Sequence, residues 1–416
     1  MDLQLSHPVT GKERIVSLDV LRGVAVLGIL LMNIVAFSMV TSAYDLPTIY
    51  NDMAGPDWWT WLTLHYLADT KFMSIFSILF GAGVCIFMER AQTKAHTPWR
   101  LQTSRMGWLF LIGLIHAYGI WYGDILVTYA ICGMAIAIVR KWKPATLFWL
   151  GMAFMFIIPI GFYLLMQWTV QYWPEEEVLK FQQADLLESG EVQAEIAAYT
   201  GSWLDQLGHR IPMVLIMHLL IVPFYLFWHA TGLMLVGMAA YKWNILSASK
   251  SIRFYSLLVI ISAGIGFPLI AIGVWFKQQH GWDPILSRFV DSNWNLVGGV
   301  FVAFAWIGLV MLICKTDILL KPQRALAAVG RMALTNYLGQ TIICTLLFYG
   351  HGLGWYNQFG RFELLYVVAY IWAFQIVFSV FWLKYFKFGP FEWFWRTATY
   401  MEFQPMRRSK GSGYHA

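Results

Sequence analysis

The chain has 416 residues, of which 59% are hydrophobic and only 12% charged, with a formal net charge of +6. Soluble domains run nearer a quarter charged, so no ordinary water-facing core can hide this much apolar surface. The composition, with a mean hydropathy of +0.57, excludes a soluble globular protein and implies an all-α, polytopic transmembrane helical bundle.

A membrane-spanning helix needs roughly 20 apolar residues, and ten stretches qualify. The first, near 15–41, opens with SLDVLRG, where Asp19 and Arg22 are three residues apart and share a helix face. Such a pair at the inner boundary serves either as a structural anchor or as an anion site in which Asp19 orients Arg22. Asn33 follows Arg22 by eleven residues, about three turns, so one polar seam runs outward along this helix.

The second stretch, near 70–89, follows LADTKF. Lys71 beside Asp69 is placed either to snorkel to the surface or to hold a negative charge at the outer mouth.

Segments near 105–122 and 124–140 form a hairpin with ionisable groups in apolar surroundings. Such groups cost several kcal/mol in a bilayer and are functional candidates by default. Arg105 stands at the inner boundary, and His116 lies about 16 Å further out at 1.5 Å per residue. Asp124 begins the next helix from the same outer side and can approach His116; Tyr129 lies one turn beyond. A histidine held by a carboxylate can take a proton from an acceptor or relay protons. Its structural alternative is an interhelical hydrogen bond. His65, His218 and His229 fit packing or interface roles.

Segments near 145–169 and 211–241 flank an acidic stretch, 170–210, holding Glu175, Glu176, Glu177, Asp185, Glu188, Glu191, Glu195 and Asp205. It has helical stretches such as Glu175 to Glu188 and is polar enough to cap or gate the bundle. The 211–241 segment carries Pro223 and is either one kinked helix or a re-entrant pair.

Further spans follow near 253–276, 294–314, 326–349 and 362–383. The ninth contains GRMALTNYLGQ, with Arg331 near the inner boundary and Asn336, Tyr337 and Gln340 deeper. Asn336 and Gln340 are one turn apart and act as interhelical glue or as a polar substrate lining. The tail motif GPFEWFWR has the pattern of an aromatic interfacial helix with Glu392 and Arg396 paired at i, i+4.

With one long sixth helix, the basic clusters fall on one side: Lys12 and Arg14; Arg90, Lys94 and Arg100; Arg140, Lys141 and Lys143; Lys242, Lys250 and Arg253; Lys315, Lys321 and Arg324; then the tail up to Lys410. The positive-inside rule then puts both termini in the cytoplasm. Basic flanks of this kind suit anionic lipid headgroups and call for no nucleic-acid partner. No cleavable signal is expected, since the first apolar run continues past a signal's length without a small-residue cleavage site. Cys85, Cys132, Cys314 and Cys344 are widely spaced and read as packing residues, and no metal site is expected.

SLDVLRGVAVLGILLMN, KFMSIFSILFGAG, GLIHAYGIWYGDILVTYAICG, GRMALTNYLGQTIICTLLFY and GPFEWFWR stand in the order of the hallmark blocks of the YeiB-like family, which the chain resembles over nearly its whole length. The resemblance implies a multi-pass protein of the bacterial cytoplasmic (inner) membrane whose C-terminal half is that family's domain of unknown function. The expected division is 1–143, with acyltransferase-like helices; 144–241, with the acidic outer loop; and 242–416, with a basic tail.

The family's N-terminal part is similar to that of heparan-alpha-glucosaminide N-acetyltransferase and, more distantly, to membrane enzymes that O-acetylate glycans. This implies acyl transfer from cytosolic acyl-CoA to an extracytoplasmic sugar, glycan or lipid-linked acceptor, with membrane lipids as neighbours and a homodimer allowed. In the O-acetylating relatives a catalytic histidine follows the first-helix arginine by eleven residues, where this chain has Asn33. His116 with Asp124 is the substitute that the chemistry offers. Arg22, Arg105 or Arg331 would hold the phosphates of CoA, and Asn33 or Asn336 would stabilise an oxyanion. The rival expectation is a proton-coupled transporter or flippase using the same buried ions.

Overall fold

The computed structural model describes residues 15–50, 54–93, 97–316 and 318–408. Lys12, Arg14, Lys94 and Lys410, counted above among the basic clusters, lie outside them. The described residues fold into helices α1 (Val16–Ser38), α2 (Gly55–Leu67), α3 (Lys71–Thr93), α4 (Pro98–Gly119), α5 (Leu126–Val139) and α6 (Pro144–Val170). Next come α7 (Glu175–Ala184), α8 (Gly190–Thr200), α9 (Trp203–Ile216), α10 (Phe227–Lys242), α11 (Ile252–Gln279) and α12 (Pro284–Leu286). The chain closes with α13 (Ser292–Lys315), α14 (Leu320–Arg331), α15 (Ala333–Phe348), α16 (Arg361–Tyr385) and α17 (Pro390–Tyr400).

Among the described residues, seven helical stretches are long and apolar enough to cross a membrane: α1, α2 with α3, α6, α9 through α10, α11, α12 through α13, and α16. The chain is an all-α membrane protein. Three of the ten expected segments are not among the seven. α5 and α15 are apolar but shorter, and α4 carries Arg100, Gln102 and Arg105 near its start.

Several expectations are corrected. The run before residue 70 is helical, so the second apolar stretch begins at Gly55 with α2 and continues into α3. The acidic helix α7 ends at Ala184, short of Glu188. Of the two alternatives for the sixth span, the single continuous helix is the one found, and Met217–Leu226 takes π-helical turns around Pro223. Proline has no N–H to donate and crowds the preceding turn, and wider turns accommodate it.

The ninth span is two helices. Met332 leaves helical geometry at φ −114 and ψ 33, separating α14 from α15. α14 instead lies against α1 through glycines. A Cβ on Gly330 would stand 1.9 Å from Asp19 O, and one on Gly23 2.0 Å from Leu326 O, so only a hydrogen fits at either place.

α1, α3, α5, α4 and α15 close a ring. α1 meets α3 where Gly28 faces Phe72, and α3 meets α5 where Ser77 Oγ and Tyr129 Oη lie 2.6 Å apart. α5 packs along α4, α4 meets α15 through His116 and Thr341 at 3.0 Å, and Gln340 of α15 donates to Val26 O of α1 at 3.1 Å. Cys85, Cys132 and Cys344 are free thiols buried in the packing, and Cys314 is half-buried.

The acidic stretch covers the end of the bundle that the charge pattern of the sequence assigns to the outside. Glu195 of α8 is buried and accepts from Thr41 N at 2.8 Å, Thr41 Oγ1 at 2.7 Å and Tyr356 Oη at 2.8 Å. Asp185, after α7, takes Arg288 Nη1 at 2.7 Å and Nη2 at 3.0 Å, and also accepts from Ser42. These bonds tie the cap to the α1–α2 connection and to the approach to α13.

Candidate functional site

Among the described residues the fold builds three His–Asp pairs; one, His280 Nδ1 with Asp291 Oδ2 at 3.1 Å, joins the end of α11 to the start of α13, and the other two involve histidines singled out from the sequence. In the first, His116 Nδ1 lies 2.8 Å from Asp124 Oδ1, and Asp124 Oδ2 accepts from Val127 N at 2.8 Å, capping the start of α5. His116 is 1% exposed, and its Nε2 is engaged by Thr341 Oγ1. Tyr337 packs on the imidazole at 5.4 Å and donates to Gly123 O at 3.4 Å. Both ring nitrogens therefore have partners, and the residue joins α4 to α15 within the wall of the ring.

The second pair was half visible in the sequence. His65, near the end of α2, reaches Asp69 Oδ2 with Nδ1 at 3.0 Å, one turn along, and stacks on Trp61 at 4.8 Å. Asp69 also accepts from Asn295 Nδ2 at 2.7 Å, which fixes the carboxylate. His65 Nε2 makes no hydrogen bond among the described residues and is not sealed in. A carboxylate orienting one imidazole nitrogen while the other stays open is the arrangement that general-base chemistry requires.

Lys71 does not snorkel. It is fully buried, and its ammonium donates to His65 O and Asn295 Oδ1, each at 2.6 Å. Two neutral oxygens hold it, so it organises the His65–Asp69 turn from behind.

Further polar side chains surround Asp69. Asp45, between α1 and α2, keeps 48% of its side-chain surface exposed. Arg288 Nε lies 3.5 Å from it. Burial pushes the Asp45 carboxyl above the usual carboxylate range, against the opposing pull of Arg288 and Lys277. Tyr44, Tyr163 and Tyr225 lie in the same field, each sensing the charge of Asp69. Lys277, at the end of α11, is 4% exposed and faces Asp45, Asp69 and Asp291, with no hydrogen bond or ion pair among the described residues. Neither Asp45 nor Lys277 follows from sequence spacing, because η-type turns and a distant helix end bring them together.

The end of the ring away from the acidic stretch is basic. Arg22 Nη1 donates to Asp19 Oδ1 at 3.1 Å, as the three-residue spacing implied. Arg105 lies in the field of both Arg22 and Arg396. Its guanidinium packs over Phe87 at 4.6 Å and Trp395 at 4.8 Å, and its Nη1 is buried without a partner. Arg396 Nε is likewise unpartnered. Arg331 is half-buried next to the tail, with Nη2 3.5 Å from Lys387 O. Arg396 does not pair with Glu392. That carboxylate caps α15 instead, accepting from Leu334 N at 2.6 Å and Thr335 N at 3.0 Å. The helix start offers unsatisfied N–H groups and the positive end of its dipole, which outcompete a neighbouring guanidinium.

Between the two ends runs an open stripe. On α3, Met73, Phe76, Phe80, Gly83 and Phe87 are half-buried, while the remaining residues from Phe72 to Cys85 are buried. The 3–4 spacing places all five on one face, about 21 Å long at 1.5 Å per residue. Phe76 and Phe80 pack on Tyr129 at 5.8 and 5.2 Å, and Arg105 spans across to Phe80 and Phe87, so the face points into the ring. A Cβ on Gly83 would meet nothing within 4 Å. Asn33 of α1 is half-buried with no hydrogen bond among the described residues.

The remaining expected residues are bonded into the frame. Asn336 Nδ2 donates to Val329 O and Ser379 Oγ, each at 3.1 Å. Gln340 Nε2 donates to Val26 O at 3.1 Å and Gln375 Oε1 at 3.0 Å. Tyr129 Oη shares a hydrogen bond with Ser77. Among the described residues no group of three His, Cys, Asp or Glu side chains could hold a metal ion.

Residues 240–402 match the family described as "Protein of unknown function (DUF418)". The chain is 34% identical to "Uncharacterized protein YeiB" of Escherichia coli (strain K12) over 403 residues, covering 93% of this chain and 96% of that one. It is 32% identical to "Uncharacterized protein YxaH" of Bacillus subtilis (strain 168) over 416 residues, covering 97% and 98%. An "Uncharacterized 39.9 kDa protein in amylase 3'region" of Bacillus acidopullulyticus is 27% identical over 408 residues, covering 94% and 96%. No solved structure matches the chain.

Proposed function

The chain belongs to the YeiB-like family, and we propose that it moves an acyl group from cytosolic acyl-CoA to an extracytoplasmic sugar or glycan acceptor across the bacterial inner membrane. The observation that carries this is the half-open stripe on α3, with partner-poor guanidiniums at its inner end and the His65–Asp69 pair at its outer end.

Arg105 and Arg396, with Arg22 beside them, suit the phosphates of CoA, since guanidinium groups pair strongly with phosphate oxygens. The thioester arm is apolar enough to lie along Met73, Phe76, Phe80 and Phe87. Beside Asp69 an acceptor hydroxyl gives its proton to His65 Nε2, and its oxygen attacks the thioester carbonyl. The new C–O bond forms, the C–S bond breaks, and the CoA thiolate leaves with that proton. Asp69 stabilises the imidazolium, and Asn33 is available to the oxyanion. Lys277 and Asp45 offer a donor and an acceptor to the polar acceptor molecule.

His65 is favoured over His116 as the base because one of its nitrogens is free. His116 must release Thr341 before it can accept a proton.

The test is calorimetric titration of the purified protein with acetyl-CoA. Binding that weakens with Arg105→Ala supports acyl transfer. No CoA binding, combined with proton-driven solute uptake in proteoliposomes, would instead favour a transporter.

A further inference from the structure

Arg210 of α9 is fully buried, and no carboxylate among the described residues stands within ion-pair distance of it. Its Nε donates to Tyr118 O at 3.1 Å and its Nη1 to Ile120 O at 2.8 Å, at the last turn of α4. Carbonyls at a helix end carry partial negative charge and offset part of the guanidinium's burial. Nη2 has no partner.

Two more donors in the same place are orphaned. Tyr199 of α8 and Tyr349, just past α15, pack with ring centroids 4.7 Å apart, and both lie in the field of Arg210. Both are 1% exposed, and neither hydroxyl has a hydrogen-bond partner. The indole N–H of Trp121, in the same core cluster, is unpartnered as well. Glu195, the carboxylate of this region, is taken up by Thr41 and Tyr356. A charged donor and two hydroxyls thus share a buried place without a countercharge among the described residues, the neutral Gln206 Oε1 one turn before Arg210 being unpartnered too, although buried polar groups are almost always paired.

We propose that this place binds a small inorganic anion of chloride's size and charge, held by Arg210 Nη2 and the hydroxyls of Tyr199 and Tyr349. The orphaned atoms are closed off from solvent, which favours a single-atom ion over a sulfate or a lipid phosphate. The ion fastens the outer cap to the bundle, because α8, α9 and the turn after α15 meet there. Gly350 N already donates to Tyr199 O at 2.8 Å in the same junction. The site is separate from the acyl-transfer reading and does not depend on it.

The experiment is thermal unfolding of the purified full-length protein in detergent, titrated with sodium chloride, bromide, sulfate or gluconate at constant ionic strength. The midpoint is expected to climb with the logarithm of chloride or bromide concentration and to stay flat in gluconate and sulfate. Arg210→Gln should abolish the climb. Tyr349→Phe, which removes one hydroxyl and keeps the ring, should reduce it even where Arg210→Gln fails to fold. Equal midpoints in chloride and gluconate, a response to sulfate alone, or an unchanged slope in Tyr349→Phe would overturn the proposal.

Discussion

His65 and Asp69 face each other at 3.0 Å across the turn between α2 and α3, and Asn295 of α13 clamps the same carboxylate oxygen at 2.7 Å. Sequence neighbours supply the pair, but a residue more than two hundred positions away orients it. If this pair is the base, His65→Ala should lower acyl transfer by about 10²- to 10⁴-fold, the usual range for general-base catalysis. Asp69→Asn should lose most of that activity as well. Asn295→Ala removes the clamp and one of the two oxygens that hold Lys71, and should cost less activity, since Lys71 still donates to His65 O. Turnover of each variant, normalised to folded protein, checks the order.

His116→Ala is expected to act on stability before chemistry. It strips a buried carboxylate, Asp124, of its partner and leaves Thr341 without one. Breaking a buried pair typically costs about 3–5 kcal/mol. The unfolding midpoint should fall well below wild type, while the fraction that remains folded keeps turning over. A folded, fully inactive His116→Ala protein would return the base to this position.

Asp45 provides a test by pH. Burial raises its carboxyl, so the folded protein holds this proton to a higher pH than the unfolded chain does. Its contribution to stability is therefore present at low pH and is lost as pH rises through the raised value. Asp45→Asn keeps the shape and removes the titration. Its stability at neutral pH should equal or exceed that of wild type, and the gain that wild type shows on acidification should shrink. Melting curves of both proteins across the weakly acidic range measure the difference.

Gly330→Ala probes the junction that sets the inner mouth. An added methyl would stand 1.9 Å from Asp19 O, and both contacts are helix backbone. Overpacking of this kind typically costs about 1–3 kcal/mol. Because α14 would be pushed off the start of α1, CoA binding through Arg22 should weaken together with the melting point.

Much of the helical layout was legible because a bilayer demands long apolar runs, and the 416-residue sequence writes them plainly. The approach of His116 to Asp124 and the Asp19–Arg22 pair also followed from spacing. The break at Met332 did not, since hydropathy runs straight through GRMALTNYLGQ while close glycine packing directs α14 along α1. Glu392 was misplaced because an i, i+4 rule sees only its own helix, and the stronger partner was the start of α15. His65 carried a readable i, i+4 signal with Asp69, hidden because α2, at 13 residues, is too short by itself to register as a span. Lys277 and Asp45 meet only in the folded protein.

The most direct measurement is release of free CoA thiol, and appearance of labelled acceptor, when proteoliposomes are given labelled acetyl-CoA on one face and a membrane glycan fraction on the other. Expected are coupled thiol release and labelling of acceptor on the opposite face, both lost in His65→Ala and weakened in Arg105→Ala. Thiol release and labelling no greater than in protein-free vesicles, or equal for wild type and His65→Ala, would contradict acyl transfer through this ring.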